Sequence, residues 1–492
     1  MDRRTLLRTA LGSAALSAMP LSSVWANDLP AVTLDGSATS LDKASIKAFA
    51  ESLDGVLLKP DSVGYDLARQ VWNRFWDRRP TLIAKVFSVE DVVNAVAFAR
   101  EHNLLTAVRC GGHSMSGKSV CDGGLVIDMT YMNRVDIDAD KQEVTLQGGC
   151  LLGDLDRKTL PLGLATTAGV VSHTGAGGLI LGGGMGRLQR KFGLSIDNVL
   201  GVQIVTADGR VLTANAKENP DLYWGVRGGG GNFGVVTEIK MRLHKVNPMV
   251  MAFSFNYPLQ HARDAMMLFL DAADGAHEDL FLTGGLGVNE DGSGGVGISA
   301  TYYGPPDQVE KFMAPFRAGK MAVSERVSPI EYVNIQRVAD DGVNAPGLRR
   351  YAKGGFLRIA NEDFVEVMVG RAEPLPGRSF RCGLLPMDAA PSRIGPSDTV
   401  WAHRDALYNI DASSTWAIGD EESDERNIAW NRAYFQDIEP FSQGFYVNSL
   451  SDENQTQVND NYRQNYARLV EVKNKYDPAN LFRLNANVRP TA

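Results

Sequence analysis

The sequence predicts an α+β fold, and three observations predict it. Short apolar runs with turn-like flanks occupy 81–86, 105–109, 125–129, 143–146 and 199–206, the length of strands. Helical segments at 40–57 and 88–103 stand beside them. After His244 the character changes. Longer sheet-like runs at 249–257, 280–288 and 295–303 are interleaved with helical segments at 259–275 and 306–317. A domain boundary near 244 follows, with a second unit over about 245–435.

The elements are justified in chain order. Residues 1–26 begin with Arg3-Arg4, continue through an apolar stretch at 6–19, and end in the small-x-small site Val24-Trp25-Ala26. That is a signal peptide, too short to span a bilayer. Arg3-Arg4-Thr5-Leu6-Leu7 is similar to a twin-arginine leader, which exports folded proteins; Asp2 stands where Ser or Thr is usual, so an ordinary secretory signal stays open. A periplasmic or secreted protein is the expectation. No later segment has 18 uninterrupted apolar residues, so no membrane span is expected. Ser88 is the predicted N-cap of the second helix, with Asp91 in the capping-box position. The segment 401–408 alternates like a strand, and 419–426 is acidic and reads as a surface loop. A final helix is predicted over 459–476, stopped by Asp477-Pro478.

Composition bounds the function. Of 492 residues, 44% are hydrophobic and 22% charged, enough to bury a large core. Lys plus Arg is 50 and Asp plus Glu is 58, a net charge of −8, which argues against a nucleic-acid binder. Cys110, Cys121, Cys150 and Cys382 fit no zinc spacing; buried free thiols are expected, and one bridge stays open. Seven histidines show no metal-ligand spacing, so no metal site is expected.

The glycines are unusual: 50 of 492 residues, and clustered. Two clusters satisfy nucleotide motifs letter for letter. Gly112-His113-Ser114-Met115-Ser116-Gly117-Lys118-Ser119 fits a P-loop, but a strand at 125–129 follows too soon for the required helix. Gly229-Gly230-Gly231-Asn232-Phe233-Gly234 fits the dinucleotide pattern, yet a β-branched run follows instead of a helix. Together with Gly175-Ala176-Gly177-Gly178 and Gly182-Gly183-Gly184-Met185-Gly186, these loops let bare backbone N–H groups approach a large extended cofactor bearing a pyrophosphate.

The same residues carry a resemblance. Arg109-Cys110-Gly111-Gly112-His113-Ser114, the run from Thr174 to Gly186, and Arg227 to Val236 resemble the flavin loops of the vanillyl-alcohol-oxidase superfamily. Tyr446-Val447-Asn448 and Lys475-Tyr476-Asp477-Pro478-Ala479-Asn480-Leu481-Phe482 are similar to its berberine-bridge-enzyme branch. The resemblance implies a two-domain PCMH-type fold. An FAD domain would be built from 45–244 plus 436–492, and an antiparallel substrate domain flanked by helices would be inserted at 245–435. With the leader, it implies a bacterial, exported member.

It also implies roles. FAD would be bound by Arg109, Gly111, Gly112, His113, Ser114, Gly117, Thr174, Gly175, Gly178, Gly182, Gly183, Val236 and Asn448. His113 would form the covalent histidyl bond; a buried, inert histidine is the alternative. Val171 falls where doubly linked relatives carry a cysteine, so one bond only is expected. Thr174 falls at the position that gates oxygen and is valine-sized, favouring an oxidase that yields hydrogen peroxide. Tyr446 is the candidate catalytic base, or else packs the flavin; Ser449 replaces the second tyrosine of the family segment. His403 is the alternative base, or a structural histidine. The expected activity is oxidation of an alcohol or amine of a small molecule by hydride transfer to FAD. A dehydrogenase serving a quinone or cytochrome, and a non-catalytic flavin-binding protein, stay open.

Overall fold

The structure, a computed structural model, describes residues 28–341, 344–371, 378–449 and 451–491. The leader at 1–26 lies outside the described residues. Leu125–Asp128 is buried along its whole length, so it can only be a central strand. It pairs in parallel with Leu82–Lys85 and Thr106–Arg109, and Val56–Leu58 closes one edge antiparallel. The helices Lys43–Ser52 and Val89–Glu101 cover this sheet with Phe49, Val92, Ala95 and Val96. Ser88 caps the second helix, accepting from the Asp91 N–H at 3.1 Å. The Asp91 carboxylate does not return to Ser88. It accepts from the N–H groups of Phe87, Asp54 and Gly55, tying the strand Val56–Leu58 to the helix.

Two further sheets follow. Gly234–Arg242 lies between Val199–Thr206 and Glu143–Gln147 in a five-stranded antiparallel sheet. Eight strands between Met249 and Gln443 form the largest sheet, with Met249–Pro258, Leu280–Val288 and Gly294–Tyr302 where the sequence predicts them. One face of this sheet packs Leu384, Ile410 and Ala412 on helices that include Ala262–Ala273 and Asp424–Ile438. By alternation the other face carries Phe356, Leu385, Asn409 and Asp411. Phe356 and Leu385 there join Trp401, Tyr446, Leu194 and Ile196 in one apolar cluster, so this face looks toward the smaller sheets.

The sequence reading needs three corrections. The segment 401–407 is irregular, and the strand begins only at Tyr408. Side chains hold it instead of a ladder: Arg404 makes a buried bidentate ion pair with Asp197 at 2.7 and 2.8 Å. The acidic stretch at 419–426 is not all loop. Asp424 and Glu425 open the helix Asp424–Ile438, where carboxylates favour the positive helix end. The predicted last helix is broken into Gln455–Asn461 and Tyr466–Tyr476, with Arg463 at φ 46° between them. The four cysteines are all free. A turn follows Ser119 and a strand follows Gly234, so neither nucleotide motif opens a helix.

The C-terminal helix is fastened by a fully buried pair. Lys473 Nζ donates to Asp477 Oδ2 at 2.6 Å, to the Asn232 carbonyl at 2.8 Å and to the Phe482 carbonyl at 3.1 Å. Asp477 also accepts from the N–H groups of Leu481 and Phe482. The chain end is thereby clamped onto the glycine loop at 229–234. Removing one member leaves the other charged and unpaired in the core. Asp477→Ala is therefore expected to cost about 3–5 kcal/mol, read as a lower urea midpoint with an unchanged slope.

Candidate active site

A cavity of about 390 Å³ opens where the loops after three strands meet the C-terminal segment. Thr106–Arg109 delivers Gly111 to Ser114, and the bend at Thr174 with the start of the helix Ala176–Leu181 delivers Thr174, Gly175 and Gly178. The strand Gly234–Arg242 delivers Val236, and the segment after Gly444 delivers Tyr446, Asn448 and Ser449. The first two loops cross in backbone contact. A Cβ on Gly111 would lie 2.4 Å from the Gly175 nitrogen, and one on Gly175 would lie 2.3 Å from the Gly111 nitrogen. Only glycine fits at such a crossing.

His113 is held on this wall from two sides. Trp72 stacks on it with ring centroids 4.4 Å apart, and the Arg350 guanidinium lies 3.8 Å over Trp72. His113 Nε2 sits 2.6 Å from His173 Nδ1. Burial, then the nearby His173 and Arg350, push the His113 pKa down to about 3, so the imidazole is neutral.

Tyr446 lines the same cavity, and three N–H donors converge on its oxygen. Asn448 Nδ2 donates at 2.7 Å, Gly184 at 3.1 Å and Met185 at 3.4 Å. Burial raises the phenol pKa, and these three donors oppose it by favouring the phenolate. Asn448 spends its second N–H on the Leu179 carbonyl at 2.9 Å, so its amide is oriented by the protein. Trp401 meets the tyrosine edge-on at 5.4 Å.

Not every predicted residue lines the cavity. Arg109 reaches back to the Ala68 carbonyl and packs over Gly112. Gly117 leaves room for Trp76, Gly182 for the Asn448 amide, and Gly183 for Trp401 and Tyr446. These glycines admit protein side chains. His403 also lies off the cavity wall. Its Nε2 is held by the Asn461 carbonyl at 2.9 Å, its ring stacks on Phe356, and burial pushes its pKa down to about 4.

The sequence reading missed several residues. Lys118 and Ser119, the end of the P-loop-like run, line the cavity, and burial pushes Lys118 down to about 8. Ser119, Tyr462 and Asn485 line the cavity, and their buried Oγ, Oη and Oδ1 have no hydrogen-bond partner among the described residues. Buried polar atoms are normally satisfied, so these three are set for a bound polar molecule. His173 and Trp72 carried no motif signal of their own. Asp411 faces away from the helices, between Gly354 and Gly383 on the neighbouring strands. Burial alone pushes its carboxyl up to about 6.

Glycine loops, orphaned polar atoms and a neutral imidazole on one wall fit an extended dinucleotide such as FAD. The comparisons with known proteins agree. Residues 80–215 match the model of an FAD binding domain, and residues 445–489 match that of berberine and berberine-like proteins. An FAD-linked oxidoreductase of Dictyostelium discoideum is 31% identical over 454 residues, spanning 90% of this chain and 97% of that protein. The chain belongs to the berberine-bridge-enzyme-like FAD-linked oxidoreductases. Another member, the (R)-6-hydroxynicotine oxidase of Paenarthrobacter nicotinovorans, is 31% identical over 447 residues, covering 89% of this chain and 97% of its own. The solved structure of 6-hydroxy-D-nicotine oxidase from Arthrobacter nicotinovorans superposes with a TM-score of 0.81 at 29% identity, over 89% of this chain and 98% of that one. The two-domain α+β fold of the family and an FAD-dependent oxidoreductase activity follow for this chain.

The backbone crossing gives a direct test. Gly111→Ala forces about 1–3 kcal/mol of overpacking into a contact that no rotamer can relieve. The purified variant is expected to carry at least fivefold less flavin per protein by visible absorbance, with wild-type circular dichroism.

Proposed function

We propose that this FAD-dependent oxidoreductase carries its flavin on His113 through one covalent bond. On this reading it oxidises an alcohol or amine carbon of a small molecule and uses dioxygen as acceptor, yielding hydrogen peroxide. The observation that carries the reading is Tyr446 in the lining of the cavity, with three N–H donors aimed at its oxygen. Oxidising an alcohol or amine requires removal of an O–H or N–H proton as hydride leaves carbon. FAD, when bound, supplies the hydride acceptor. Tyr446 takes the proton. At its ordinary pKa, ionising a tyrosine at neutral pH costs about 4 kcal/mol. The donors from Asn448, Gly184 and Met185 lower that cost in the step where negative charge develops on the oxygen.

Three observations support the rest. Val171 occupies the position of the second, cysteinyl link in doubly linked relatives, and the Cys110 thiol on the cavity wall is held protonated by burial. Thr174 on the wall is valine-sized, the size that admits oxygen in plant relatives. An oxidase of 6-hydroxynicotine, a nitrogen base, is among the relatives. Asp411 is the group we assign to the polar end of the substrate, a hydroxyl or amine, because it stands beside two glycines on the face whose Phe356 packs on Trp401, the ring that meets Tyr446. Export to the periplasm or medium by the leader at 1–26, through the twin-arginine route, belongs to the same proposal.

Two measurements test it. Acid precipitation is expected to leave yellow flavin in the wild-type pellet and none in the His113→Ala pellet; flavin released from the wild type removes the covalent reading. Tyr446→Phe is expected to keep its flavin and lose a factor of about 10²–10⁴ in kcat, followed by oxygen uptake and peroxide formation with amine and alcohol substrates. Turnover with a quinone or cytochrome and no oxygen uptake would give the dehydrogenase reading instead.

A further inference from the structure

The contact between His113 and His173 has a direction that the surrounding hydrogen bonds fix. His173 Nε2 lies 3.2 Å from the backbone carbonyl of Asp340. A carbonyl oxygen only accepts, so His173 Nε2 carries the proton. In the neutral ring its Nδ1 is then bare and can only accept. The 2.6 Å contact therefore runs from His113 Nε2–H to His173 Nδ1. It follows that His113 Nδ1 has its lone pair free, and it makes no hydrogen bond among the described residues. The neighbouring elements hold this arrangement. Ser172 donates its N–H and hydroxyl to the two Asp340 carboxylate oxygens at 2.7 and 2.5 Å, which fixes the carbonyl under His173. Trp72 donates its indole N–H to the Asn344 carbonyl at 2.7 Å and covers the far face of His113.

We propose that His173 is the positioning residue and proton acceptor that makes His113 Nδ1 the nucleophile for flavin attachment. The proposal rests on the His113 linkage above. In the step, one bond forms between His113 Nδ1 and the methyl carbon of the flavin ring, and that carbon loses one proton to water, its C–H electron pair passing into the flavin ring. The His113 Nε2 proton passes to His173 Nδ1. The two electrons released stay on the flavin until dioxygen removes them with two protons as hydrogen peroxide. Without a base at His173, the substituted imidazole would hold its second proton and a positive charge in a buried site, which is costly. The segment of doubly linked relatives that aligns here, Pro-Thr-Val-Gly-Val-Gly-Gly, has threonine where this chain has His173.

The test follows acid-stable flavin, not turnover. His173→Asn keeps an acceptor atom near the Nδ1 position and loses the basic nitrogen. Freshly purified full-length protein is incubated with FAD in air, and the acid-stable fraction of bound flavin is followed in time. The expected result is flavin that binds but becomes acid-stable about a hundredfold more slowly, with the rate restored by added imidazole. His113→Ala should show no acid-stable flavin at any time. If the wild type itself shows none, the linkage reading fails and this proposal with it. If the wild type links its flavin and His173→Asn links as fast, the role of His173 alone is overturned. It is also overturned if His173→Asn keeps wild-type circular dichroism but binds no flavin, because the residue then serves binding. Ser172→Ala deletes only one hydroxyl and covers the case of a variant that does not fold. It is expected to slow linkage severalfold, and an unchanged rate overturns the proposal.

Discussion

Two backbones passing in van der Waals contact, at Gly111 and Gly175, set the geometry of the whole site. Consecutive Cα atoms are about 3.8 Å apart, so a crossing point dictates what lies a residue or two away on each strand. His113 is two residues after the crossing on one chain, and His173 is two residues before it on the other. Their 2.6 Å contact is a consequence of the crossing, not a separate arrangement. The same crossing presses Cys110 Sγ against Gly175 and directs it toward the Cys150 carbonyl. A side chain at either glycine would separate the loops and release all of these contacts together.

Around that crossing the protein holds its chemical groups neutral by burial and then offsets the burial selectively. His113 and His403 are both pushed below the ordinary histidine range, but only His113 reaches the cavity. Tyr446 is buried too, and it differs from other buried tyrosines in the number of donors on its oxygen. Tyr65 and Tyr434, for example, each donate to a carbonyl, which fixes the proton on the phenol. Tyr446 receives three N–H groups, which favour the phenolate form of its oxygen. The difference lies in the partners, since all three phenols are buried.

The legible part of this site was the part written in local sequence. Glycine clusters announced close backbone approach, and the β-branched run after Gly234 excluded a dinucleotide-binding helix there. Ser88 as a cap and the long strands after His244 were equally local. What failed depended on distant partners. The alternation at 401–408 imitates a strand, but its polar members are drawn to Asp197 and Asn461, roughly 200 and 60 residues away in sequence, so no ladder forms. The acidic stretch at 419–426 gains a helix because Arg349 and Trp416 hold Asp424 at its start. In the flavin-loop motifs the Arg109 side chain turns to the Ala68 carbonyl, and the space at Gly117, Gly182 and Gly183 is taken by Trp76, Asn448, Trp401 and Tyr446, because a motif specifies the loop's path and not what packs against it.

His173 marks the limit of motif reading most sharply. Nothing in Val171-Ser172-His173-Thr174 distinguishes a surface histidine from a reactive one. Its meaning comes from a carbonyl at Asp340, some 170 residues onward, that only accepts and so fixes which nitrogen of His173 carries a proton. That choice fixes the direction of the bond to His113, and the direction decides which His113 nitrogen keeps its lone pair free. Asp411 follows the same logic in the large sheet. A lone aspartate in a polar strand is unremarked in sequence. Only the register shows that glycines, Gly354 on one side and Gly383 on the other, stand directly opposite it on the neighbouring strands. In both cases the chemistry is specified by what the fold places opposite the residue, and a sheet register or a carbonyl's direction is information that exists only after folding.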